Sequence, residues 1–233
     1  MSGVTLRVCP NVPATMRACA EAIASALGGA AQPQFVLAGG QTPRGVYQLL
    51  AGDGLPQGPA WQDVEFWFGD ERCVGPDHPK SNYRMAREAL FAPLGVASGR
   101  VHRMLGEFGA DEGARRYRDR LLERLGAHPH FDALLAGMGP EGHTLSLFPG
   151  SPELLAQELA VATRVPTPPR ERISLTPAAC AGADRIFLLV TGREKRAALA
   201  AALEAFAPDP DTPTSFLRGR LETVCFCDQE SAP

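Results

Sequence analysis

No stretch of this chain approaches the roughly 18 consecutive apolar residues of a membrane span, and residues 1–10 lack the apolar core of a signal peptide. A reducing, cytoplasmic location is the resulting expectation. The six cysteines, at positions 9, 19, 73, 180, 225 and 227, show no C-x-x-C spacing, which argues against a zinc knuckle or a thioredoxin-like site. Cys225 and Cys227 stand two apart in a strand-like segment and should share a face as ordinary thiols. No serine sits in a G-x-S-x-G elbow, so nothing points to an acyl-enzyme. His78, His128 and His130 lie beside prolines without metal-site context, and no metal is expected. Excess positive charge is also missing. The net charge is −3 and the pI near 6.0, which argues against nucleic acid or a membrane surface as partner. Lysine is nearly absent: of 23 basic residues only Lys80 and Lys195 are lysines.

The 233 residues are 45% hydrophobic and 21% charged, an ordinary globular balance. A chain of this length buries roughly 70% of its unfolded surface without needing disulfides or metal. Apolar residues at helical spacing predict helices over 15–27, 81–90, 111–125 and 194–206. In the third of these, Tyr117, Leu121, Leu122 and Leu125 form the expected inner stripe. Short apolar runs at 35–38, 64–68, 131–136 and 186–190 predict strands, with further extended pieces around Ile173 and Val224. Thr42-Pro43 and Thr176-Pro177 read as N-caps followed by proline in the first turn. Strands alternating with helices, without a linker or repeat, predict one α/β domain over 1–233. Its expected architecture is a doubly wound, mostly parallel sheet with helices on both faces, Rossmann-like in kind.

In such a sheet the site lies beyond the carboxyl ends of the strands. Four loops there carry unusual residues: 39–44, 69–72, 137–143 and 191–195. Their convergence would gather Thr42, Arg44, Asp70, Glu71, Arg72, Glu141, His143 and Lys195 in one pocket. Gly39 and Gly40 let backbone approach an anion at the start of a helix, where Thr42 adds a hydroxyl; the alternative is a tight turn that binds nothing. Asp70, Glu71 and Arg72 follow an apolar strand, where charges are costly unless paired or functional; the alternative is a surface ion-pair cluster. Gly137, Gly139 and Gly142 match G-x-G-x-x-G, but no acidic residue follows at the spacing a dinucleotide site requires. An imidazole held in that turn, His143, suits general base work near neutral pH. Glu141 could hold its other nitrogen. Lys195 opens a helix, where a cation opposes the dipole unless an anion is near. Arg172 is a candidate of the same kind.

These segments resemble the 6-phosphogluconolactonase family, within the larger group that includes glucosamine-6-phosphate isomerase/deaminase. The resemblance rests on LAGGQTPRGVYQLL (37–50), WFGDERCVGPDHPKSNYRMA (67–86), LLAGMGPEGHTLSLFPGSP (134–152), RISLTPAAC (172–180) and FLLVTGREKRAAL (187–199). It implies hydrolysis of 6-phospho-D-glucono-1,5-lactone in the oxidative pentose phosphate pathway, with no cofactor. It also implies His143 as the catalytic group, with Asp70, Arg72 and Glu141 beside it. Gly39, Gly40, Thr42, Arg44, Arg72, Arg172 and Lys195 would hold substrate and phosphate. The family turn usually carries aspartate where this chain has Glu141. The deaminase branch resembles it less: Leu147-Phe148 occupy the place of that branch's Asn-Glu pair, and Arg72 that of an aromatic residue. A non-catalytic sugar-phosphate binder of the same fold is the remaining alternative. The expected partner is a small phosphorylated sugar lactone, neither nucleic acid nor membrane, bound by a monomer or small homo-oligomer.

Overall fold

Consecutive buried residues, rather than an alternation, mark the central strands, because both faces of the sheet are covered. The computed structural model describes residues 3–52, 55, 58–205 and 207–233. In chain order the strands and helices are β1 (Val4–Cys9), α1 (Val12–Leu27), β2 (Gln34–Leu37), α2 (Gln41–Leu50), β3 (Glu65–Phe68) and β4 (Asp70–Arg72). There follow α3 (Asn82–Ala86), a π-helical turn (Arg87–Phe91), α4 (Ala92–Leu94), α5 (Ala110–Leu125), β5 (Phe131–Gly137), β6 (Ala160–Arg164) and β7 (Glu171–Leu175). The chain ends with α6 (Pro177–Cys180), β8 (Ala183–Val190), α7 (Arg196–Glu204) and β9 (Glu222–Asp228).

Six strands form a parallel sheet in the order β1-β9-β8-β5-β2-β3. From β2 the chain winds outward to β3; from β5 it winds the other way, through β8 to β9. The reversal falls between β2 and β5, which opens a crevice beyond their carboxyl ends. The doubly wound expectation holds, with an addition. Segment 69–72, expected as a loop, is the strand β4 of a second, antiparallel sheet in the order β4-β7-β6. Gly69 is the pivot between the sheets. Its N–H donates to Leu37 O at 2.8 Å, and its carbonyl accepts from Leu175 N at 2.8 Å. A Cβ at Gly69 would lie 2.7 Å from Leu145 Cδ2 and 3.3 Å from Leu37 O, so a larger residue would have to push the Leu145 side chain aside.

The local expectations meet the structure unevenly. Ser81 caps α3 through Arg84 N, and Thr176 caps α6 through Ala179 N. The cap of α2 is Gly40 and not Thr42, which lies inside the first turn. Helix α1 begins earlier than expected, at Val12, because the Asn11 side chain accepts from Ala14 N. Leu122 is 49% exposed and does not belong to the inner stripe of α5. The edge strand β1 was not expected, although Val4, Leu6 and Val8 alternate with Thr5 and Arg7; Leu6 and Val8 remain exposed at the sheet edge. Phe206, the expected end of the last long helix, lies outside the described residues. No helix among the described residues is long and apolar enough to cross a membrane. His102 is buried, stacked on Trp67 with ring centroids 3.9 Å apart and 2.6 Å from Glu65, and serves the core.

Two buried tyrosines clip the strand ends that open onto the crevice. Tyr47 of α2 donates its hydroxyl to Ala38 O (2.7 Å) and accepts from Ala38 N (2.8 Å). Tyr117 of α5 does the same for Phe68, at 3.0 and 2.8 Å. Each hydroxyl satisfies a donor and an acceptor where the ladder stops. Removing one leaves both buried and unpaired, at a cost of about 1–3 kcal/mol. Tyr117→Phe is therefore expected to lower the unfolding free energy by that amount, read as a lower urea midpoint at unchanged slope. An unchanged midpoint would show that the clip contributes nothing.

Candidate active site

Loops following β2 and β5 line a cavity of about 700 Å³ at the reversal point, together with β4, Arg172 of β7 and Lys195. Gly39, Gly40, Thr42, Asp70, Arg72, Glu141, His143, Arg172 and Lys195 all face it. Two of the expected residues do not. Arg44 projects into an adjoining groove, where its NH2 is 4.0 Å from Glu88. Glu71 is buried behind the strand. The reason is the alternation of β4, which sends Asp70 and Arg72 to one side and Glu71 to the other.

Glu71 is structural. Its carboxylate accepts from Arg72 N (2.8 Å), Asn82 N (2.7 Å), Tyr83 N (2.8 Å) and Ser81 Oγ (3.0 Å). Burial pushes the carboxyl above its usual range, against donors that favour the charged form. The same bonds place Asn82, whose amide reads both neighbours of Glu71. Its Nδ2 donates to Asp70 O (2.9 Å) and Oδ1 (3.1 Å), and its Oδ1 accepts from Arg72 NH1 (2.5 Å). Ser146 Oγ donates to the other Asp70 oxygen at 2.6 Å. Asp70 is thus held from both sides. A Cβ at Gly39 would overlap the Asn82 amide, which explains that glycine better than anion approach does.

Arg72 and Arg172 are register partners across β4 and β7. Like charges directly opposite on a sheet repel. Neither has an ion-pair partner among the described residues. Arg72 Nε is buried without a hydrogen-bond partner, and burial lowers the Arg172 pKa. Asp70 and Glu71 oppose that downward shift. On the opposite side Thr42 Oγ1 lies 3.2 Å from Thr191 Oγ1, and Gly40 offers α2 no capping side chain. Gln41 N and Thr42 N, the first amides of α2, therefore have no side-chain cap. Gly192, at φ 99°, starts the loop that carries Lys195 and donates to Asp228 Oδ1 at 3.2 Å. Burial would raise the Asp228 carboxyl, but donors from Ser231 and Gly192 hold it below its usual range. The partly buried Lys195 is shifted down by desolvation, opposed by Glu194, Asp228 and Glu141.

His143 is fixed by its turn. Gly139 N donates to His143 O (2.9 Å), and Thr144 Oγ1 donates to Gly137 O (2.8 Å). Gly142 takes φ 89° and Leu145 takes φ 54°, a left-handed conformation costly for leucine. A Cβ at Gly139 would overlap the imidazole, so this glycine is the space the ring occupies. The ring stacks on Phe148, centroids 4.3 Å apart at 12°. Its Nδ1 lies 3.2 Å from Glu141 Oε2 without an aligned hydrogen bond. Among the described residues no group of three or more His, Cys, Asp or Glu side chains could hold a metal ion. Asn82, Ser146 and Asp228 were not singled out as site residues from sequence, and Phe148 was noted only against the deaminase branch. Ser146 and Asp228 act through partners distant along the chain, Phe148 stacks on His143 five residues away, and only Ser81-Asn82 carried a signal, read as a helix start.

Over residues 11–225 the chain matches the family described as glucosamine-6-phosphate isomerases/6-phosphogluconolactonase. It is 32% identical over 219 residues to the 6-phosphogluconolactonase of Synechocystis sp., covering 90% of this chain and 87% of the relative. It is 35% identical over 221 residues to that of Mycobacterium tuberculosis, covering 91% and 88%. Among solved structures it is similar to the 6-phosphogluconolactonase of Thermotoga maritima, with a TM-score of 0.82, 28% identity, and 97% and 100% of the two chains covered. A monomeric glucosamine-6-phosphate deaminase, with a TM-score of 0.81, 22% identity and 97% and 98% coverage, shares the fold.

The Lys195 shift has a measurable consequence. A lysine whose pKa is lowered gives up its proton sooner as pH rises. Affinity of the pocket for inorganic phosphate should therefore decline with pH starting below the ordinary lysine value of 10.5. Lys195→Arg, which stays charged, should remove the decline in a calorimetric titration between about pH 7.5 and 10. The same decline in the arginine variant would assign it to another group.

Proposed function

The chain belongs to the glucosamine-6-phosphate isomerase/6-phosphogluconolactonase family, and we infer that its reaction is that of the lactonase branch. It hydrolyses 6-phospho-D-glucono-1,5-lactone to 6-phospho-D-gluconate in the oxidative pentose phosphate pathway. The observation that carries this reading is His143 in one cavity with the Arg72–Arg172 pair and Lys195. An anionic substrate can be held by cations that share one cavity with a proton-transfer group, and the product carries both a phosphate and a carboxylate.

A δ-lactone is a reactive ester, and its opening asks for a base, an oxyanion partner and positioning. In the proposed mechanism His143 takes a proton from water as the water attacks C1. The charge that develops on the carbonyl oxygen is met by the guanidinium of Arg72, a contribution of a few kcal/mol, on the order of 3. Protonated His143 then returns the proton to the departing ring oxygen. Glu141, already within 3.2 Å of Nδ1, tightens onto the imidazolium; such contacts are often loose without substrate. Asp70, fixed by Asn82 and Ser146, accepts from a sugar hydroxyl. Lys195, Thr42 and the first amides of α2 hold the 6-phosphate, with Arg172 completing the anionic surroundings. Arg44, outside the cavity, has no part in this scheme. Residues 1–233 act as one lactonase domain, in the cytoplasm, as a monomer or small homo-oligomer.

The expected result for His143→Ala is a fall in kcat of roughly a hundredfold or more with product affinity little changed. The measurement uses freshly prepared lactone and subtracts spontaneous hydrolysis. Full activity would remove His143 from the mechanism. Turnover of glucosamine 6-phosphate by the parent enzyme would favour the deaminase branch, and binding without turnover would favour a sugar-phosphate sensor.

A further inference from the structure

A groove of about 560 Å³ adjoins the catalytic cavity on the far side of Arg72 and Arg172. Those two arginines line both spaces, as do Gly40, Gln41 and Thr167. His143, Lys195, Asp70 and Thr42 do not line the groove, and the mechanism above leaves it unused. Its charge is one-sided. Arg44, Arg72, Lys80, Arg84 and Arg172 line it against a single carboxylate, Glu88, among the described residues.

Glu88 is already engaged with Arg84 Nε at 2.7 Å and stands 4.0 Å from Arg44. Lys80 Nζ has only the Pro168 carbonyl, at 3.2 Å. The Nε groups of Arg44 and Arg72 are both buried and without a hydrogen-bond partner. Cations gathered beyond the carboxylates available to them, with donors left unfilled, make an anion site. Guanidinium forks match phosphate oxygens in particular. Beside the polar Gln41, Ser81, Asn82 and Thr167, the lining has an apolar part made by Pro79, Met85, Pro168 and Pro169. A free inorganic ion would leave those groups idle, whereas an organic body attached to the phosphate would cover them.

We propose that this groove is a second anion site, separate from the catalytic cavity, that takes a phosphate monoester carrying a compact apolar or ring-shaped body. Its occupant shares Arg72 and Arg172 with the substrate pocket. A ligand in the groove therefore draws on the same guanidinium charge that the reaction uses, and lowers lactonase turnover without entering the cavity.

Phenyl phosphate is the probe. It is titrated calorimetrically into the enzyme already saturated with 6-phosphogluconate. The parent enzyme should still bind it, and more tightly than inorganic phosphate. Lys80→Glu should weaken that binding by about tenfold or more, while Lys195→Ala leaves it within about twofold. The lactone kcat/KM of Lys80→Glu without phenyl phosphate should stay within about threefold of the parent, since Lys80 is exposed and its carbonyl contact to Arg72 is kept. Loss of phenyl phosphate binding when product is present would mean one shared pocket, and equal affinity in Lys80→Glu would remove the groove as the site; either result overturns the proposal. Failure of 6-phosphogluconate itself to bind would instead sink the lactonase reading, and the Lys80→Glu comparison without product would then judge the groove alone.

Discussion

A carboxylate taken out of water needs donors, and Glu71 finds four of them within the dozen residues that follow it. Meeting that demand folds the segment after β4 back on itself and starts α3 where it does. Asn82 then has one position, with its amide between Asp70 and Arg72. The site's acid and its arginine are oriented by a charge that never faces the cavity. Desolvation opposes burying Glu71 and the four donors compensate it, which is how a costly charge comes to specify a single arrangement.

The second constraint is topological. The parallel sheet reverses its winding between β2 and β5, so two loops diverge there and leave a crevice. The crevice becomes an anion site through the small antiparallel sheet. Gly69 turns the chain out of the parallel sheet immediately after β3, and β4 pairs with β7 in the register that sets Arg72 opposite Arg172. Two guanidiniums are thereby brought together from strands a hundred residues apart in sequence. Lys195 arrives on the other side on a loop tied to Asp228 at the end of β9. Cations that line one cavity with an imidazole suit a substrate that carries a phosphate and develops further negative charge as it opens.

Space is rationed around the imidazole. Gly139 leaves room for the ring, Phe148 covers it, and Leu145 adopts a left-handed backbone so that the turn can close. Strain of this kind persists only where surrounding bonds over-determine it. Here those bonds are the Thr144–Leu147 pair and the contact from Thr214 to Gly142 O. Phe148 also occupies a stretch in which the deaminase branch places a polar pair, so one side of the ring is apolar in this chain.

Apolar runs, glycine breaks and proline-marked helix starts are local signals, and from them the sequence by itself determined the parallel α/β architecture. It also picked out the four segments that meet at the cavity, with His143, Arg72, Thr42 and Lys195 among its lining. Edge strand β1 was missed although Val4, Leu6 and Val8 alternate with Thr5 and Arg7, a short signal at the start of the chain. Strand β4 was misread as a loop because charged residues dominate its three positions. What only the tertiary structure decided was partnership. Glu71 turned from a pocket residue into an anchor, Arg44 moved to the adjoining groove, Asn82 and Ser146 became the holders of Asp70, and Arg72 met Arg172. These outcomes depend on side chains facing across strands and loops far apart along the chain. Hydrogen bonds and like-charge contacts of that range leave no periodic trace in the sequence; they exist only once the sheets have fixed which residues stand opposite one another.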